Sequence, residues 1–408
     1  MCQAGPAPGQ VVQQISGDVL MKKTLLSLAL FGAFSGAAMA ADNVQLYGIV
    51  DLGVQHLSYD NTTVNRLGSG IQSGSRIGLK GTEDLGGGLA AMFQLETGFC
   101  ANGNNTSAYT GAGQGAQNQA GGSYCTSGST FMGRTSMVGL TGGFGTVALG
   151  RMYSPFFNAA ATYDPFGAGL TGSITNLDPG SLDYVRVSQT MAYMTPTFAG
   201  FQGTVAYGFG GQPGNNSNGR AYNLALTYAN GPISGGVTYL QHNFTAGTTA
   251  VATQALMLNS TGNSIIPTDG YFKSKLWNIY GAYDFGVAKL GAYYAQEKFG
   301  DGAAMTLGGQ NPNLKIWSLG LTVPVGAGAV LASYGQRKDS NLNNSTVKQV
   351  AIGYTYALSK RTNLYTSYAH ITNQSNVDQY VGDATIAGSG LMGGQSSSGF
   401  ALGIRHKF

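Results

Sequence analysis

The alternation of apolar and polar residues with a period of two is the feature that most constrains how this chain can fold. It recurs in segments of about ten residues throughout residues 41–408. In the segment 43–54, for example, one set of alternate positions is apolar: Val44, Leu46, Val50, Leu52 and Val54. Because successive side chains of a strand point to opposite faces, this period predicts β-strands with one apolar face.

The connections between these segments alternate in length. Seven are short, such as 83–88 and 141–145, and eight are long and polar. The long stretches are roughly 59–73, 100–130, 154–182, 211–219, 245–273, 300–311, 339–345 and 372–397. Fifteen connections predict sixteen strands. An even number of strands, with short turns at one rim and long loops at the other, is typical of barrels in bacterial outer membranes.

The low content of charge favours a membrane location. Charged residues make up 9% of the chain, against about 25% in soluble domains. The alternative, a soluble β-sandwich, would explain neither this composition nor the alternating connections. In a membrane only a closed sheet pairs every backbone group without helices. We therefore predict an all-β fold, a transmembrane 16-stranded antiparallel β-barrel. Its outward aromatic residues near strand ends are Tyr193, Trp277, Tyr283, Trp317 and Phe408.

The beginning of the chain has the pattern of a signal peptide. Met21, Lys22 and Lys23 precede the apolar stretch 25–34, and Ala38-Met39-Ala40 forms a cleavage site. We predict an over-long start at 1–20, a removed signal peptide at 21–40 and a single barrel domain at 41–408. That domain carries 19 basic and 16 acidic residues. A net charge so close to zero, without a basic run, argues against a nucleic-acid partner.

No arrangement in the sequence points to catalysis, and we predict neither enzyme activity nor a cofactor. The four histidines are scattered without the spacing of metal ligands: His56, His242, His370 and His406. No G-x-S-x-G motif is present. A barrel phospholipase with a Ser–His pair on its outer face is the catalytic alternative.

Four stretches resemble the general porins of Gram-negative outer membranes, of the betaproteobacterial and neisserial type. They are NVQLYGIVDLGV (43–54), SRIGLKGTEDLGGGLAAMFQLETGF (75–99), GRTSMVGLTGGFGTVALGR (133–151) and GIRHKF (403–408). The resemblance implies a homotrimer of sixteen-stranded barrels in contact with outer-membrane lipid and lipopolysaccharide. It implies passage of small hydrophilic solutes and ions. It also implies that Phe408 is part of the signal read by the barrel-assembly machinery.

The resemblance further implies that the third long loop, about 153–182, folds into the barrel and narrows it opposite a basic wall. The acids of this loop are Asp164 and Asp178. The matching basic wall residues are Arg76, Arg134 and Arg186. Alternation independently places Arg76, Lys80 and Arg186 in the lumen. Strict alternation would place Arg134 outward, so a lumenal Arg134 requires a bulge or a position above the hydrocarbon belt.

A wall of Arg and Lys predicts a weak preference for anions, because it lowers the barrier for negative charge. In the alternative interpretation these residues only solvate a polar wall, and their charge is balanced by Asp51, Glu96 and Asp164.

Two other functions stay open. A substrate-specific channel would carry a dedicated polar or aromatic site in its lumen, and an adhesin would act through its long loops.

Cys100 and Cys125 are the two cysteines left after the leader is removed. In an exported protein such a pair favours a disulfide, here closing the second long loop near its base. The alternative is two free thiols in a flexible loop.

Overall fold

The computed structural model describes residues 43–59, 62–102, 131–177, 185–245, 271–300, 311–377, 379–381 and 393–408. Its strands are β1 Asn43–Tyr59, β2 Thr62–Ser69, β3 Arg76–Gly86, β4 Leu89–Gly98, β5 Thr135–Gly142, β6 Gly145–Tyr153, β7 Arg186–Met194, β8 Phe201–Gly208, β9 Ala221–Asn230, β10 Ile233–Thr245, β11 Tyr271–Asp284, β12 Lys289–Gly300, β13 Asn313–Val325, β14 Gly328–Asp339, β15 Val347–Ala357, β16 Thr362–Asn373 and β17 Ser397–Lys407. Helix α1 spans Pro155–Tyr163, and a 3₁₀ turn spans Ile174–Asn176. Within the described residues no helix is long and apolar enough to cross a membrane. The predicted start and signal peptide, 1–20 and 21–40, lie outside this part of the chain.

All the strands belong to one antiparallel sheet that closes on itself. Neighbouring strands in the sequence are paired, except that β2 and β3 both pair with β1, and β1 also pairs with β17. The closing ladder runs from Ile49 opposite Lys407 to Tyr59 opposite Ser397. Closure leaves no sheet edge open to lipid, as an apolar surrounding requires.

The seventeen strands of the described chain occupy sixteen positions around the barrel, which confirms the predicted number. β2 pairs with the second half of β1 and β3 with the first half, so β2 and β3 are two parts of one position. The predicted loop 59–73 is therefore wrong for Thr62–Ser69, which extends the hairpin with β1. Between the two parts, the segment 70–75 interrupts the strand.

The outer face of the barrel is a belt of exposed apolar side chains. Val44 on β1 is 60% exposed and Ile352 on β15 is 57% exposed, although both are aliphatic. Exposure of this kind on almost every strand would be costly in water and is favourable against hydrocarbon. The apolar face of each strand thus points outward, and its polar and small residues point into the lumen.

Departures from strict alternation occur where the ladder is irregular. Alternation that places Arg186 in the lumen also predicts that Val185 and Val187 face outward, but Val187 is only 6% exposed and both pack in the interior. The β6–β7 register shifts between Gly150 and Met152, and Gln189 has a φ of 50°. The regular alternation ends at this bulge, because an extra residue in one strand exchanges its two faces, and the three consecutive residues Val185, Arg186 and Val187 before it are all buried.

Cys100 follows β4 and takes part in a disulfide. Cys125 lies outside the described residues, so the pairing of these two cysteines stays a prediction.

Candidate pore constriction

The third long connection enters the barrel as helix α1. Ser154 caps this helix by accepting a hydrogen bond on its Oγ from the N–H of Phe157, 3.1 Å away. Pro155 occupies the first turn, where its fixed φ suits the helix and no N–H is needed. The buried side of α1 packs against the inner face of β9–β12. A helix with one apolar side can therefore lie flat on the lumenal wall.

Asp164 ends the helix and organises the rest of the loop. Its carboxylate accepts hydrogen bonds from the backbone N–H groups of Phe166, Ala168 and Ile174, at 3.0, 3.1 and 3.0 Å. The side chain is only 5% exposed. Burial raises the pKa of Asp164 to about 6, although the three N–H donors act in the opposite direction. The carboxylate thus faces its own loop rather than the lumen, and Asp178 lies outside the described residues.

Polar side chains of the wall hold the second half of the loop. Gln349 of β15 donates to the carbonyl of Gly172 (2.9 Å) and accepts from the amide of Asn176 (2.7 Å). Ser367 of β16 accepts from the N–H of Thr171, at 3.2 Å. Buried polar groups of the loop therefore find partners on the barrel, which fixes the position of the loop.

Glycines on the wall make room for the aromatic and proline residues of the loop. A β-carbon placed on Gly320 of β13 would lie 2.6 Å from Cδ of Pro165. One placed on Gly291 of β12 would lie 2.7 Å from the ring of Tyr163. These approaches are closer than any real side chain tolerates, so the loop can lie this close only because both wall positions are glycine.

The interrupted strand abuts the loop from the other side. Asp51 of β1 accepts from the N–H groups of Gln72 and Ser73, at 2.8 and 2.6 Å, and from the hydroxyl of Tyr365, at 2.6 Å. These bonds hold the segment 70–75 inside the barrel. A side chain on Gly169 of the third loop would collide with the backbone carbonyl of Gln72. The interruption and the third loop are therefore in direct contact.

Two of the predicted wall arginines are buried in a cluster at the foot of the third loop. Arg134 donates from Nε to Glu96, at 2.7 Å, and from Nη2 to the Tyr153 hydroxyl, at 2.9 Å. Arg186 donates to the same hydroxyl at 2.6 Å, and its guanidinium lies 4.2 Å from the centre of the Tyr153 ring. Both arginines are 1% exposed. Arg134 and the adjacent Thr135 are both buried, so alternation breaks down where β5 begins.

Four basic side chains on the lumenal faces of β3 and β17 are accessible to water and are called the basic wall: Arg76, Lys80, Arg405 and Lys407. The Arg76 side chain is 18% exposed and lies 3.5 Å from Glu96. Lys80 is exposed, with its amino group 5.3 Å from the centre of the Tyr47 ring. Arg76 and Lys407 flank β1, since both stand opposite Ile49. Arg405 and Lys407 were not predicted as site residues, although the alternation of the final strand puts both on its polar face.

The three carboxylates near the basic wall and the third loop are not accessible to the water of the lumen. Asp51, Glu96 and Asp164 are all buried. Asp51 is held by backbone N–H groups and a tyrosine, and Glu96 by Arg134, Arg76 and the Tyr47 hydroxyl, 3.0 Å away. Among these described residues, only basic groups present charge to the lumen at the narrowed section.

A model of the family described as Gram-negative porin matches residues 25–376. The chain belongs to this family. It is accordingly a channel-forming β-barrel of the outer membrane. No group of three or more His, Cys, Asp or Glu that could hold a metal ion occurs within the described parts of the chain.

Individual porins show the same relationship over nearly the whole chain. Outer membrane porin protein 32 of Delftia acidovorans is 32% identical, over 95% of this chain and all of its own length. The major outer membrane protein P.IB of Neisseria gonorrhoeae is 29% identical with the same coverage. Among solved structures, the anion-selective porin from Comamonas acidovorans superposes with a TM-score of 0.71, at 28% identity, over 90% of this chain and 99% of that one.

Proposed function

We propose that this porin is a passive diffusion channel for ions and small hydrophilic solutes, with a weak anion preference set by the basic wall. The observation that carries the proposal is the contrast in exposure at the constriction. Arg76, Lys80 and Lys407 contact water, while the neighbouring carboxylates are buried and hydrogen-bonded. Fixed positive charge on a pore wall attracts anions and repels cations. The similarity to the anion-selective porin from Comamonas acidovorans supports the same direction.

Arg134 and Arg186 have a different role in this proposal. With exposures of 1% they do not touch a permeating ion; instead they hold Tyr153 at the foot of the third loop. Their charge still contributes to the potential of the lumen, because Glu96 can neutralise only one of the two. Arginine also stays protonated across the physiological range of pH. The pair therefore adds a constant positive background, and the exposed side chains provide the contacts. Asp178 is expected to act from the loop opposite them.

The assembly of the protein is part of the proposal. We expect a homotrimer and recognition of the final strand by the barrel-assembly machinery. Phe408 and Gly48 exchange two backbone hydrogen bonds of 3.1 Å, which supports a role for Phe408 in closing the barrel. A β-carbon on Gly48 would collide with the Phe408 ring. Phe408→Ala should therefore reduce the yield of heat-modifiable barrel, and an unchanged yield would remove this role.

Planar-bilayer recordings test the channel function and its ion preference together. We expect a steady, ohmic conductance and a reversal potential of the anion-preferring sign across a gradient of potassium chloride. A cation-preferring sign would overturn the role of the basic wall. Saturation by one class of solute would indicate a substrate-specific channel. A correctly folded protein without conductance would favour the adhesin.

A further inference from the structure

Five neighbouring strands, β11 to β15, carry lysines on the outward face near the long connections. They are Lys275, Lys298, Lys315, Lys338 and Lys348, and we call them the lysine row. Each shares its strand face with apolar or aromatic side chains of the lipid-facing belt. The row therefore lies outside the barrel and cannot contribute to the lumenal wall.

The register of the sheet brings these lysines together. Lys275 stands directly opposite Lys298, and Lys315 directly opposite Lys338. Lys315 stands opposite Gln296, which is two residues from Lys298 on the same strand face. Likewise Lys348 stands opposite Gln336, which is two residues from Lys338. Residues directly opposite in an antiparallel pair lie about 5 Å apart between β-carbons, and like charges in such positions destabilise the sheet. The row thus concentrates positive charge along one arc.

The central pair of the row, Lys315 and Lys338, has no compensating carboxylate among the described residues. Neither lysine forms an ion pair with any of them. The two acids at this end of the strands, Glu297 and Asp339, are buried and face inward. A directly opposed lysine pair without an acid among the described residues of its own face offers a site for an anion from outside the protein.

Aromatic residues define the depth of the row in the membrane. Trp277 lies two residues from Lys275 and Trp317 two residues from Lys315, each towards the middle of its strand. Their rings pack against Tyr294 and Tyr334, with centroids 5.4 and 5.6 Å apart. Tryptophan and tyrosine collect at the boundary between hydrocarbon and headgroups. The lysines beyond them therefore stand at headgroup level on the side of the long loops, which is the outer leaflet.

We infer that the lysine row is a binding site for the phosphate groups of lipopolysaccharide. The outer leaflet of a Gram-negative outer membrane offers a phosphorylated glycolipid, and several ammonium groups in one plane match several phosphates. Below the row, exposed Ile279, Leu319 and Val350 provide an apolar surface for its acyl chains. The inference rests on the outer-membrane location and not on the proposed ion preference, so either can fail without the other.

Binding of purified lipid A in neutral detergent tests the inference, because the only two tryptophans of the chain lie beside the row. Titration with diphosphoryl lipid A should change their fluorescence. Lys315→Gln/Lys338→Gln should weaken binding by about 30-fold. Lys80→Gln/Lys407→Gln, which removes the same charge inside the lumen, is the matched control and should bind as the wild type does. Heat-modifiable mobility and a β-rich circular dichroism spectrum of both variants would show that they fold.

Three outcomes would overturn the inference. The row variant could bind lipid A as tightly as the wild type. Lipid A without phosphates could bind as well as the diphosphoryl form, and this result would indicate binding through acyl contacts alone. Inorganic phosphate at the same concentration could produce the same fluorescence change, which would indicate a general anion site. Weaker binding by the row variant alone, with little effect of inorganic phosphate, would support a lipopolysaccharide site.

Discussion

The most direct test of the constriction removes two exposed charges of the basic wall and leaves its buried cluster intact. Lys80 and Lys407 are suited to this, since both are exposed and lie on strands either side of β1. Lys80→Gln/Lys407→Gln keeps side chains of similar length that still interact with water. We expect the barrel to fold normally, because lumenal substitutions alter selectivity more than stability.

The size of the effect follows from the exposure of these groups. In water, an ion about 5 Å from an ammonium group interacts with it by about 0.8 kcal/mol. Screening at 0.15 M salt reduces this to about 0.45 kcal/mol, and at 0.01 M to about 0.7 kcal/mol. Since one charge attracts anions and repels cations equally, each lysine changes the permeability ratio about fivefold at 0.15 M and about tenfold at 0.01 M.

The assay is the reversal potential across a potassium chloride gradient, recorded at both ionic strengths. The double variant should lower the chloride-to-potassium ratio by at most about 20-fold at 0.15 M, the limit for an ion that passes about 5 Å from both lysines. Lys315→Gln/Lys338→Gln, on the outside of the barrel, is the matched control and should keep the wild-type ratio. An unchanged ratio in the lumenal variant, or an equal change in the control, would refute the reasoning and assign selectivity to the long loops.

Three further predictions concern the supports of the constriction. Glu96→Gln leaves the buried guanidinium of Arg134 facing a neutral amide and should lower the free energy of unfolding by about 3 kcal/mol, measured by urea titration in lipid vesicles. Because burial raises the pKa of Asp164 to about 6, the stability linked to its proton is fully present below about pH 4 and is lost as the pH rises through 6. Asp164→Asn should therefore flatten the pH dependence of unfolding between these values, and an unchanged slope would contradict this role. Gly320→Val should push Pro165 and the third loop away from the wall, reducing single-channel conductance and costing about 1–3 kcal/mol of stability; wild-type conductance would show that the loop is placed by other contacts.

The strands could be predicted from the sequence because the alternation of side chains is a local property of the backbone. It placed Val44 and Leu46 on the outer face and predicted the number of barrel positions correctly. It was wrong where the backbone leaves the regular ladder, as at the bulge near Gln189, which buries Val187. A bulge depends on the register with the neighbouring strand, and a single strand's sequence does not contain that register.

The constriction was harder to predict from the sequence, because the burial of its charged side chains depends on partners that are distant in the chain. Alternation placed Arg76 and Lys80 in the lumen, where the structure has them. It had no means of showing that Arg134 would meet Glu96, 38 positions earlier, and lose its contact with water. Asp164 is likewise an acid in the inserted loop, which the sequence predicts to face the lumen. Its hydrogen bonds with three N–H groups of its own loop exist only in the folded loop.

The closing seam between β1 and β17 has a consequence for the order of folding. Every other ladder joins strands that are neighbours in the sequence, or β1 and β3, which are separated only by β2. At the seam, by contrast, Ser397 donates a hydrogen bond to the carbonyl of Ser58, 339 positions away. Joining such distant segments is slow, because a large loss of chain entropy precedes any contact between them. The hairpins should therefore form first, as an open sheet with two unpaired edges and an apolar outer face. In water such a sheet would aggregate edge to edge, so the seam has to be completed where the edges are shielded, at or within the membrane.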